Sequence, residues 1–227
     1  MKKAIRIIGI IFLVLIGLAL AAAAGLLIRL KIRTGRILTD HSSIFENEKY
    51  KEPVYVDGVE VITLDVSCGY ACIEMFSAWT GGDLTEEKLY EEYGRVVTST
   101  GGRFCEKMNK RFPGYTTTMH KYLTNTELID VLYDNLAAGI PIPFEWAAKY
   151  GDEWTLHYSL LTGMDIPNDK VTAVNPYGYV EEISVEEFLR RTSFEAFENM
   201  PLYLRLAFAV GVFEKNTIFT VVRTDGR

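Results

Sequence analysis

Residues 7–28 form an unbroken uncharged run, IIGIIFLVLIGLALAAAAGLLI, closed by Arg6 and Arg29. A stretch of this length and composition cannot sit on the outside of a water-soluble domain, and it matches the helix length that crosses a bilayer. The alanines Ala21 to Ala24 supply the small residues of a signal-peptide cleavage site, the rival reading. The run is longer than a signal core and continues past them through Leu26, Leu27 and Ile28, which favours an anchor. The reading is therefore an anchor over 1–31, a polar tether without clear periodicity over 32–53, and a folded domain over 54–227. About 190 residues remain outside the apolar segment, enough for one domain with a sizeable core.

Cations flank the segment on both sides, with Lys2, Lys3 and Arg6 before it and Arg29, Lys31, Arg33 and Arg36 after it. A short, positively charged N-terminal tail is retained inside more readily than it is moved across. That places the domain on the outer face of a cell membrane, held by a single pass.

The net charge of −6 argues against nucleic acid as a partner, and no basic stripe with interleaved aromatics occurs. Three cysteines, Cys68, Cys72 and Cys105, are too few for a disulfide scaffold. Neither C-x-x-C nor H-x-x-x-H is present, so no zinc site is expected. Gly81-Gly82 and Gly101-Gly102 lack the fingerprint of a phosphate-binding turn, and no cofactor is expected.

Beyond Pro53 the pattern predicts an α+β domain, with helices first and an antiparallel sheet after. Alternation and the Asp57-Gly58 turn suggest a short hairpin over 54–64. Helical spacing of Ala71, Cys72, Met75, Phe76 and Trp79 predicts a helix over 68–79, stopped by Gly81-Gly82. A charged helix follows over 85–93. The stretch 98–122 has no dominant period and reads as loop with short elements. Thr124 and Glu127 make a capping box ahead of a helix that ends at Gly139. Strands are expected over 140–146, 157–164, 170–175, 179–183 and 217–223, with a second capping box at Ser184 and Glu187 opening a helix to about 191. The apolar piece 202–213 is too short to span a membrane. It reads as a core element, or as a surface facing the membrane beside the anchor.

Chemistry concentrates on three residues in order: Cys68, His157 and Asn175. A helix that begins at Cys68 places the sulfur over unpaired N–H groups and the positive end of the dipole, which favours thiolate. Gly69 leaves room for a substrate beside it. Cys72, one turn on, reads as packing, and Cys105 as either reactive or merely exposed. His41 and His120 read as solvated. His157 opens a strand, and a hairpin with the strand ending at Asn175 can bring the Asn side-chain oxygen to the imidazole. A thiol nucleophile, its base and a group that orients the base are the parts of a thiol acyl-transfer site.

These residues resemble the papain-like cysteine peptidases of the bacteriocin-processing type, family thirty-nine of their clan. Cys68-Gly69-Tyr70-Ala71 with Met75 resembles the family's Cys-Gly-Pro-Ala-like helix start. His157 to Gly163 with Asp165 resembles its His-led strand, and Asn175-Pro176 its final strand end. The resemblance covers roughly 54–191. It implies a papain-like fold, N-terminal helices packed on an antiparallel sheet, here preceded by one transmembrane helix. It implies Cys68 as nucleophile, His157 as general base and then acid, and Asn175 as orienter, acting on a peptide or protein substrate through a thioester. One departure stands out. The family places a glutamine several residues before the cysteine as an oxyanion donor, and this chain contains no glutamine at all; Ile62 stands near that point. The backbone N–H of Cys68, with Thr63 or Ser67, is the substitute expected. Two alternatives follow: a silent member that binds peptides, and a thiol acyltransferase or cell-wall amidase on the same scaffold. No ATP-binding signature or further apolar span follows the domain, so a peptidase fused to an exporter is not expected. Nothing in the sequence speaks to oligomeric state.

Overall fold

A computed structural model describes residues 2–34, 42–94 and 100–224. Its first element is a helix, α1 (Lys2–Thr34), whose apolar side chains from Ile7 to Ile28 are largely exposed. The segment 35–41, including His41, lies outside the described residues. The remainder of the stretch read as a tether is partly structured: α2 (Ser42–Phe45) and a 3₁₀ turn at Glu48–Tyr50 bury Ile44 and Tyr50 in the domain core.

The domain is a mixed α+β structure built on one antiparallel sheet. Its strands are β1 (Val54–Tyr55), β2 (Tyr115–His120), β3 (Ile142–Tyr150), β4 (Glu153–Asp165), β5 (Lys170–Asn175), β6 (Tyr179–Ile183) and β7 (Ile218–Arg223). They run in the order β2-β7-β3-β4-β5-β6, with β1 added to β4. The long β3–β4 hairpin is the spine, pairing Ile142 with Leu161 at one end and Tyr150 with Glu153 at the other. β4 is buried without interruption from His157 to Asp165. Such a run, rather than alternation, marks a strand covered on both faces.

The covering helices fall into two sets. On one side α3 (Cys68–Trp79), α4 (Glu86–Tyr93) and α5 (Gly101–Arg111) pack Met75, Phe76, Leu89 and Phe104 against Tyr158, Leu160, Val174 and Phe219. On the other, α6 (Asn125–Ala137) and α7 (Val185–Thr192) pack Leu128, Leu132 and Phe188 against Phe144, Trp146 and Ala173. A smaller cluster joins Ala147, Phe194 and Phe197 to Leu204 and Phe208 of α8 (Leu202–Val210).

Capping accounts for the helix starts. Thr124 and Glu127 form the reciprocal box ahead of α6. Ser184 accepts from the Glu187 amide as the cap of α7, while the Glu187 carboxylate turns to Arg190, so the box there is only half made.

Two further expectations of secondary structure differ from the fold. Residues 54–64 do not form a hairpin. Val54 and Tyr55 pair with Met164 and Gly163 of β4, Val56 follows with an N–H···O bond to Thr162, and the chain then runs as coil to Cys68. The apolar positions there pack into the core clusters instead of against one another. Of the stretch 98–122, read as loop with short elements, residues 98–99 lie outside the described residues, and most of the rest is regular, in the eleven-residue α5 and in β2. The helical signal in α5 is thin because only Phe104 and Met108 carry its large apolar contacts, and Lys107 is itself buried, over the ring of Tyr93. His120 is half-buried and bonds Thr220 across the β2–β7 pair at 2.9 Å.

Candidate active site

Cys68 is the first residue of α3. Ser67 caps that helix in extended conformation, its hydroxyl accepting from the Tyr70 amide at 3.2 Å. The loop ahead of it is held from the side by Glu86, 5 % exposed, whose two carboxylate oxygens accept the N–H groups of Asp65, Val66 and Ser67 at 2.9, 3.0 and 2.9 Å. Three charge-assisted bonds fix the backbone that delivers the sulfur.

The sulfur lies against β4. The backbone of Tyr158, the residue after His157, and the start of α3 at Cys68 and Gly69 favour the thiolate. Burial nevertheless dominates and pushes the thiol up to about 11. The helix start does not win this balance, opposite to the direction expected from the dipole alone.

His157 is 1 % exposed. Its Nε2 meets Asn175 Oδ1 at 2.9 Å. The Asn175 amide is oriented by its other contacts: Nδ2 donates to Glu181 Oε2 at 3.2 Å and to the Tyr179 hydroxyl at 3.3 Å, and Oδ1 also accepts from the Tyr177 amide at 2.9 Å. A carboxylate only accepts, so Oδ1 must face the ring and Nε2 must carry the proton. Nδ1 is left with a free lone pair. Burial holds the imidazole down at about 4, opposed by the bond to Asn175 and reinforced by the charge of Arg191, so it is neutral at neutral pH.

Cys68 and His157 line one cleft of about 400 Å³, together with Thr63, Leu64, Tyr150, Leu156 and Tyr177. Tyr177 stacks on the His157 ring, centroids 3.9 Å apart and planes 21° from parallel, and its hydroxyl is tied to Thr155 at 2.8 Å. It shields the His157–Asn175 bond from water. Cys68 and His157 thus share one cleft, and Asn175 bonds the His157 ring.

Several supports escaped the sequence reading. Tyr177, Glu86, Glu181 and Arg191 all act on the three. Glu181 is ion-paired to Arg191, whose Nε donates to the Ala147 carbonyl at 2.8 Å and whose guanidinium lies 3.9 Å above the Trp146 ring. An aromatic two residues past Asn175, in the turn at Gly178, was the one visible hint. Near the point where the family resemblance expects a glutamine, Ile62 packs into the apolar cluster of α3, whereas Thr63 lines the cleft. Cys72 is fully buried, as packing requires, and Cys105 donates to the Thr117 carbonyl and does not line the cleft. Among the described residues no group of three or more His, Cys, Asp or Glu side chains could hold a metal ion.

Comparison with known proteins gives one family. The model described as "Peptidase_C39 like family" matches residues 50–205. No curated protein matches. Among solved structures, a double glycine motif protease from an AMS/PCAT transporter, in complex with the leader peptide, superposes with a TM-score of 0.49 at 16 % identity, covering 76 % of this chain and 98 % of that one.

Proposed function

We propose, from the premise that the chain belongs to the peptidase C39-like family, that it is a membrane-anchored thiol peptidase with Cys68 as nucleophile, His157 as base and Asn175 as orienter. The observation that carries this is a buried imidazole, bonded to Asn175 Oδ1, in a cleft that Cys68 also lines.

The chemistry runs from neutral partners. Binding of a peptide in the cleft brings its carbonyl carbon to Cys68 Sγ. As the S–C bond forms, the thiol proton passes to His157 Nδ1, and Asn175 stabilises the imidazolium that results. The oxyanion is met by N–H groups at the start of α3 and by the Thr63 hydroxyl. Collapse breaks the C–N bond, and His157 returns the proton to the leaving amine. Water then attacks the thioester with His157 again as base, freeing the acid and the thiol. α1 is the anchor, and the domain faces outward. Loss of the glutamine donor makes the enzyme slow rather than silent, since one such donor is worth about 100- to 1000-fold.

A second reading, peptide binding without cleavage, is favoured by Ile62 near the donor position and by the raised thiol of Cys68. Incubating the full chain in detergent with a peptide library, and following products and the Cys68 acyl adduct by mass spectrometry, separates the two. Cleavage that is lost in Cys68→Ala supports the peptidase. Saturable binding with neither product nor adduct supports the binder and sinks the enzyme.

A further inference from the structure

The helix α8 has an apolar face that the domain does not use. Leu204 and Phe208 point into the cluster under β3 and β4, while Leu202, Tyr203, Leu206 and Val210 are 46–71 % exposed. At helical spacing those four fall within an arc of about 100°, the width of an amphipathic stripe. Val212, just past the end, continues the patch at 52 % exposure. From Pro201 to Phe213 the sole charged residue is Arg205, which is exposed beside the stripe.

What this face is continuous with identifies its occupant. α8 packs against the last turns of α1: Leu30 joins the α8 cluster, and Arg33 is ion-paired to Glu214 just beyond α8. The close approach requires Gly211 at the helix end, φ +81°, where a Cβ would lie 3.0 Å from the Arg33 guanidinium. The uncharged run of α1, by contrast, is exposed throughout, with no buried residue among those described. Leu30 is two residues past Ile28, or about 3 Å along the axis. α8 therefore lies level with the end of the apolar run, beside the exposed cations Arg29 and Lys31. A short amphipathic helix at that level settles about 5–10 Å into the headgroup boundary, with cations toward anionic lipid.

We infer that α8 lies in the surface of the bilayer crossed by α1, its Leu202–Tyr203–Leu206–Val210 face seated among the lipids. This rests on the anchor reading of α1. It fixes the orientation of the domain, because Leu156 belongs both to the α8 cluster and to the wall of the Cys68 cleft. The substrate that reaches the site is then a segment presented at the membrane surface.

The test uses the full chain in vesicles of phosphatidylcholine and phosphatidylglycerol, with Cys68→Ala and Cys105→Ala in place and one added cysteine carrying an environment-sensitive dye. Leu206→Cys and Val210→Cys report on α8, Val14→Cys on α1 and Glu87→Cys on α4. Brominated lipids are expected to remove most of the emission at positions 206, 210 and 14 and to leave position 87 bright. Quenching at 14 but not at 206 or 210 overturns the inference and leaves the anchor standing. No quenching at 14 overturns the anchor and the inference with it. Shielding at 206 that follows protein concentration and ignores the brominated lipid marks a second copy on this face and also overturns the inference.

Discussion

Glu181 accepts from Asn175 Nδ2 at 3.2 Å, so a carboxylate on β6 decides which end of the Asn175 amide faces His157. Arg191 holds that carboxylate in turn, stacked on Trp146 and bonded to the β3 backbone. The tautomer of the candidate base is thus set through Asn175 by the Glu181–Arg191 ion pair.

Replacing Glu181 tests that chain of dependence. Glu181→Leu frees the amide to turn its Nδ2 toward His157, which favours the tautomer with the proton on Nδ1, where the base is needed. Peptide cleavage is expected to fall by up to about 100-fold, the cost of a misplaced catalytic group. The loss should appear in kcat with KM little changed, since no substrate contact is removed. A variant that cleaves at the wild-type rate would show that Oδ1 is held toward the ring by the Tyr177 amide alone.

The oxyanion donor is tested at two neighbouring positions. Thr63 lines the cleft and Ile62 packs into the cluster of α3. Thr63→Val removes the hydroxyl and is expected to lower kcat about 10- to 100-fold, somewhat less than a buried backbone donor. Ile62→Ala should leave kcat near wild type and cost about 1–2 kcal/mol of stability from lost apolar burial. Steady-state kinetics and urea unfolding of both variants check the contrast. Equal kinetic losses in the two would remove Thr63 from the role.

Glu86 carries the loop before the nucleophile. Glu86→Ala strands three N–H groups at Asp65, Val66 and Ser67. An unsatisfied buried donor costs about 1–3 kcal/mol, and some of the three regain water in the opened loop. A loss of about 3–5 kcal/mol follows, read as a lower urea midpoint. Faster hydrogen exchange should be confined first to the segment leading into α3. Unchanged exchange there would mean that the loop holds without the carboxylate.

What the sequence made legible was what short-range rules write. α3, α6, β5 and β6 have sharp local signals: a cap, a capping box, β-branched runs and tight turns. The candidate triad was legible as order and local setting, Cys before Gly at a helix start, His at a strand and Asn before Pro. The failures lie where long-range partners decide. Val54 and Tyr55 show alternation, but β4 claims them, so no hairpin forms. α5 offers two large apolar residues to a deep cluster and otherwise looks like loop. The direction in which the Cys68 thiol is shifted was hidden for the same reason. The helix start is visible in the sequence, whereas the burial that outweighs it depends on β4, about ninety residues later.

Stability against pH should show two opposed slopes that nearly cancel. His157 titrates at about 4 when folded, against 6.5 ordinarily, because burial disfavours the imidazolium. On acidification the unfolded chain takes the proton first, so stability falls from pH 6.5 to 4. Glu145, 2 % exposed, is raised by burial to about 7 from 4.5, against the bond donated by Tyr158 at 2.6 Å. Here the unfolded chain loses its proton first, so stability falls in the other direction, from pH 4.5 up to 7. Each group moves by roughly 2–3 pKa units, or about 3 kcal/mol at most. In the wild type the two offset across pH 4.5–6.5. Glu145→Gln keeps the acceptor for Tyr158 and removes one slope. The variant should therefore gain stability over wild type at pH 8 and show no gain at pH 4.5. Left with the His157 slope alone, it should weaken steadily as the pH falls below 6.5. Urea midpoints at pH 4.5, 6 and 8 measure this, and a difference between variant and wild type that stays constant with pH would show that Glu145 ionises normally in the fold.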